Sequence, residues 1–78
     1  MKLNVLIENA GPNWCAAPLT DELGAVVVAG ANREETMVKF CEVLEWHLSE
    51  MRENGEDVPE IDSIEFHETI PFPMALAA

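Results

Sequence analysis

The segment from Asn32 to Gly55 constrains this chain most, because its hydrophobic period is long enough to demand a helix. Met37, Phe40, Cys41, Leu44, Leu48 and Met51 recur at steps of three and four. Glu42, Glu45, Ser49, Arg52 and Glu53 take the opposite face. Asn32 is a good N-cap, since its side-chain oxygen can accept from the free amide three residues on, and Glu35 stands where a capping-box carboxylate reaches back. Glu34 and Glu35 complement the positive end of the helix dipole. Asn54-Gly55 supplies the stop, so the pattern predicts an amphipathic helix of roughly five to six turns. Val43, Trp46 and His47 lie on its flank. They make the apolar stripe wider than one packing neighbour requires.

The remaining segments read as strands. Leu3, Val5 and Ile7 alternate with Lys2, Asn4 and Leu6, and the turn formers Asn9-Ala10-Gly11-Pro12-Asn13 follow. A second strand is expected from Trp14, with Pro18 marking an edge position or the strand's end before the loop Leu19-Thr20-Asp21-Glu22-Leu23-Gly24. Ala25 to Ala29 is an uninterrupted apolar run. It suits a central strand covered on both faces, although a buried helix segment has the same appearance. Gly30 ends it. Beyond a polar linker with Pro59, Ile64, Phe66, Glu68 and Ile70 point one way, and Glu65, His67 and Thr69 the other. This predicts a fourth strand at a sheet edge, ended by Pro71 and Pro73. The fold class expected is α+β: a three-stranded antiparallel meander, one long helix on one face, and a C-terminal strand (β-β-β-α-β).

A chain of 78 residues holds one small domain. Fifteen acidic residues against four basic ones give a formal charge of -11, which repels nucleic-acid phosphates and steers a basic partner inward. Direct nucleic-acid binding is therefore disfavoured, while plain solubility explains the same charge. The opening Met1 to Gly11 is too short and too broken by Asn4 and Glu8 for a signal peptide or a membrane span. Cys15 and Cys41 lie far apart in apolar surroundings, without zinc-type spacing, so reduced thiols and a cytoplasmic location are expected.

Catalytic and ligand motifs are sparse. Gly24 and Gly30 bracket a strand, whereas phosphate cradles place their glycines between strand and helix. Cys15 or Cys41 could pair with His47 or His67 as a nucleophile and base, but Cys41 falls on the expected buried stripe, where a thiol is inert packing. His47 and Glu50 have ligand spacing on one helical face, without convergent third and fourth ligands. Trp14 and Trp46 read first as core or half-buried residues, and a partly exposed Trp is also a favoured interface anchor. No catalytic residue, cofactor or metal is expected.

The order of pieces carries more information than any single residue. A strand like Lys2 to Asn9, a Gly-containing turn, a strand ending in Pro18, then Gly30, Asn32 and the Glu34-Glu35 pair, then Asn54-Gly55 through Pro59, together resemble the HicB-like antitoxin domain of bacterial toxin-antitoxin systems. The family more often has Thr at the cap and Ala at the position of Thr36, and spaces its two glycines one residue closer than Gly24 and Gly30. The resemblance implies a partial ribonuclease-H-like arrangement over residues 1–70 without catalytic carboxylates, followed by a tail over residues 71–78. It also implies neutralisation of a small basic HicA-like ribonuclease toxin by covering its active surface, with any helix-turn-helix or ribbon-helix-helix DNA reader absent from this chain.

Three functions are open at this point. The first is a non-enzymatic binding domain, related to HicB antitoxins, that forms a homo-oligomer and holds a basic protein. Trp14, Glu42, Glu45 and Glu53 would lie near that partner. The second is a stand-alone regulatory or ligand-sensing module of the same fold. The third is a metal-dependent nuclease, for which only Glu8 lies near a suitable position.

Overall fold

The computed structural model describes residues 1–20, 23, 24 and 26–69. The order of elements is β1 (Lys2–Ala10), β2 (Asn13–Pro18), β3 (Val28–Gly30), α1 (Arg33–Glu53) and β4 (Ser63–His67). The expected α+β class and β-β-β-α-β order therefore stand. The four strands form one mixed sheet in the order β3-β2-β1-β4. The first three are antiparallel neighbours, and β4 joins β1 in parallel.

Alternation along β1 decides the layering. Leu3, Val5 and Ile7 are fully buried beneath the helix, while Lys2 and Glu8 are exposed. Ala10 pairs with Asn13 across a two-residue loop, where Gly11 takes φ +87° before Pro12, as a tight hairpin with a left-handed first position requires. Pro18 is the last residue of β2. The amide of Leu19 donates to Asn4 at 3.0 Å, so by alternation the nitrogen of Pro18 faces away from β1. It also lies beyond Ala16, the last residue of β2 that pairs with β3, so its missing donor breaks no ladder bond.

The third strand differs from expectation. It begins at Val28 and lies at a sheet edge, and Val27 is 68% exposed between buried Val26 and Val28. Among the described residues one helix covers one face of the sheet, so an apolar run here alternates between core and solvent. Ala25, where the strand was expected to start, lies outside the described residues.

The helix begins and ends as its sequence dictates. The Glu35 amide donates to Asn32 Oδ1 at 2.8 Å, and the Ala31 amide donates to Glu35 Oε2 at 3.3 Å, one residue before the cap itself. At the other end Gly55 takes φ +73°. Its amide reaches the Arg52 carbonyl at 3.1 Å while that of Glu56 reaches Met51 at 3.0 Å, the paired bonds of a Schellman stop. In between, Thr36, Phe40 and Leu44 are buried at four-residue steps, and the helix packs across β3, β2 and β1.

The helix carries the chain from one sheet edge to the other, where β4 adds to β1. Phe66 meets Phe40 edge to face, with ring centroids 5.9 Å apart. On the other sheet face Lys2 pairs with Glu65 at 2.6 Å, and His67 Nε2 bonds Asn4 Oδ1 at 2.9 Å. Arg33 Nε reaches Glu68 at 2.8 Å, tying the chain after β4 to the helix start. Ile70, which the alternation assigned to this strand, and the tail of residues 71–78 lie outside the described residues.

Two expectations follow. A Cβ at Gly30 would lie 3.0 Å from the backbone nitrogen and 3.1 Å from the Cα of Thr36, and closer still to its hydroxyl. Gly30→Ala should therefore cost about 1–3 kcal/mol in urea unfolding, with only partial recovery when Thr36→Ala removes the hydroxyl contact. The hydrogen bond from Lys2, and then the charge of that ammonium, hold the Glu65 carboxyl below its ordinary value. A depressed carboxyl contributes stability above its ordinary range that fades as pH falls through the folded value. In Lys2→Met, carboxyl NMR should show Glu65 titrating back in the ordinary range.

Candidate functional site

The helix is broader in its apolar stripe than the three strands beneath it can cover. One flank, carrying Met37, Cys41 and Leu48, overhangs the side of the molecule where β4 stands. Ile64 and Phe66 face the helix from β4, and Ile61 precedes the strand. Together these groups form two hollows of about 360 and 380 Å³ that share Cys41 and Glu45 in their walls. The first runs between Leu44, Leu48, Ile61 and Ile64, and the second between Met37, Val38 and Phe66. Their floor is apolar. The charged groups along both are Glu42, Glu45 and Asp62.

The charged groups lining this groove are acidic, and one cation touches its wall, the Arg33 guanidinium at 3.3 Å from Met37 Sδ. Asp62 is engaged by the Met1 ammonium at 2.9 Å. Glu42 and Glu45 form no ion pair among the described residues and stand beside apolar surface. Cys41 was expected in the buried stripe and is instead exposed. The reason is angular: the buried line runs through Thr36, Phe40 and Leu44, and Cys41 is turned about 100° from Phe40. The neighbouring groove walls still desolvate it in part and push its thiol pKa up.

The structure distributes the sequence-derived residues unevenly. Glu42 and Glu45 meet at the groove, whereas Glu53, also exposed, lies roughly 12 Å further along the helix axis. Trp14 is half-buried in β2, packs against the core, and lines neither hollow. Trp46, by contrast, is 63% exposed on the helix. Ile64 and Phe66 were placed on one face of the fourth strand from sequence, but neither they nor Ile61 were assigned to a site. The signal that could have found them was the surplus width of the helix stripe, which needed a second neighbour.

The histidines and carboxylates considered for alternative sites stand outside the groove. His47 is half-buried, and its Nε2 bonds the Leu23 carbonyl at 2.7 Å, tethering the loop before β3. Glu8 is exposed, and by alternation it lies on the sheet face away from the helix. Among the described residues no three His, Cys, Asp or Glu side chains converge as metal ligands, and no helix is long and apolar enough to cross a membrane.

Compared with models of protein families, with curated proteins and with solved structures, the chain matches none.

The thiol offers a check on the groove. In a Cys15→Ser background, alkylation of Cys41 should proceed readily but along a pH curve displaced above that of a free cysteine peptide. A curve coincident with the free peptide would mean that the groove walls do not desolvate the thiol.

Proposed function

We propose that this chain is a non-enzymatic, cytoplasmic protein-binding domain of the HicB antitoxin type, which neutralises a small basic HicA-like ribonuclease by covering its active surface. The observation that carries the proposal is the outward face of α1, where Glu42, Glu45 and Glu53 are all exposed and two of them border an apolar groove. Acidic groups around an apolar centre suit a basic protein surface: the charges raise the encounter rate and set the orientation, and the apolar part supplies the burial. The net charge of -11 acts in the same direction over longer range. The element order and the Gly30, Asn32, Glu34-Glu35 and Asn54-Gly55 punctuation support kinship with that family through fold alone. Trp46 adds an exposed aromatic of the kind that anchors interfaces.

Capture from the native host tests the reading. Tagged protein should retain a small basic protein at low salt, and the triple variant Glu42→Lys, Glu45→Lys, Glu53→Lys should lose it, with an association rate reduced by about tenfold or more. Retention of every captured protein by the variant would remove the assigned surface. Capture of no basic protein by the parent chain would remove the antitoxin reading itself.

A further inference from the structure

We infer that the groove between α1 and β4 takes an extended, basic-flanked segment of the partner, which adds to the sheet as a further strand along the outer edge of β4, the edge with no strand beside it among the described residues. This rests on the protein-binding reading above and names the partner chemistry that the groove fits.

The two edges of the sheet are not equivalent. The edge at β3 is three residues long, and its Ala29 carbonyl already accepts from Lys39 Nζ at 2.9 Å. A short edge with a lysine over its backbone is a poor template for another strand. The edge at β4 is five residues long, Ser63–His67, contains no proline, and pairs only with β1 among the described residues. Five extended residues present about 16 Å of backbone donors and acceptors.

The groove lies along this edge. Ile64 and Phe66 belong to β4 and also line the hollows, so a segment pairing with β4 would run beside the apolar floor and send alternate side chains toward Leu44, Leu48, Met37 and Cys41. Strand addition beside a helix combines backbone pairing for affinity with side-chain pockets for specificity. A helical occupant would leave the β4 edge unpaired.

Charge selects the occupant further. No lysine or arginine lines the hollows, the Arg33 guanidinium that touches the wall at Met37 is paired with Glu68, and Glu42 and Glu45 have no ion-pair partner among the described residues. A second copy of this chain would bring Glu65 on its own β4, the same rim acids, and another charge of -11. A partner segment with lysine or arginine beside alternating apolar residues meets both the floor and the rim.

The test uses the full chain and the acetylated peptide Lys-Val-Thr-Ile-Thr-Val-Lys. Binding should slow hydrogen exchange at the β4 amides and slow alkylation of Cys41, each by about tenfold at saturation. Replacing the peptide's lysines by glutamates, or introducing Glu45→Lys, should weaken binding by about tenfold. Cys41→Arg, at an exposed position, should block the groove without altering the melting curve. The proposal is overturned if the peptide leaves the β4 amides unchanged, if the acidic peptide binds equally well, or if Cys41→Arg binds as the parent does. It is also overturned if β4 protection in the free protein rises with protein concentration, which would give the edge to a second copy. A captured basic protein that survives Cys41→Arg but not the triple glutamate reversal removes this groove while leaving the proposed function standing.

Discussion

The contact between Gly30 and Thr36 sets the position of everything above the sheet. Because Gly30 has no Cβ, the first turn of α1 lies directly against the end of β3, with the Thr36 backbone about where a side chain would otherwise stand. Thr36 is completely buried there, and its hydroxyl is satisfied by donating to the Asn32 carbonyl at 2.7 Å. A helix pinned at this edge packs across β3, β2 and β1 with Phe40 and Leu44 buried, and only Phe40 among the buried line reaches an aromatic partner on β4, Phe66. The partial cover of β4 is thus a consequence of close packing at the opposite edge of the sheet.

Polar groups are arranged so that this placement leaves little unsatisfied. Among the described residues every buried side-chain nitrogen or oxygen has a partner. His47 holds the loop at Leu23, His67 joins β4 to Asn4, and Lys39 occupies the β3 edge. The surface ion pairs at Lys2 and Arg33 fasten β4 to its neighbours, although exposed pairs of this kind contribute only about 0–1 kcal/mol each. With those basic groups committed, the exposed carboxylates of α1 dominate the field around the groove.

Legibility from sequence followed the range of the interactions involved. Asn32, Glu35 and Asn54-Gly55 marked the helix ends correctly because capping uses atoms within a few residues of one another. The hairpin at Gly11-Pro12 was legible for the same reason. The apolar run Ala25 to Ala29 was read as a central strand covered on both faces or a buried helix segment, since an apolar run does not reveal whether one layer or two will lie against it; β3 begins at Val28 at an edge. Cys41 was assigned to the core because a three- and four-residue pattern defines a broad stripe, and only the packed sheet decides which part of it is buried. Of the candidate partner-binding residues, Glu42 and Glu45 meet at one groove, while Trp14 packs elsewhere.

By itself the sequence determined the local elements, their order, the helix caps, the strong negative charge and the excess width of the helix stripe. These depend on neighbouring residues and on sums over the chain. Only the tertiary structure decided that β4, expected at an edge, would join β1 and run parallel to it, that the helix would settle over β3, β2 and β1, and that its surplus flank would form a groove with Ile61, Ile64 and Phe66. Those outcomes depend on contacts between residues far apart in the chain, chief among them the space that Gly30 leaves for Thr36.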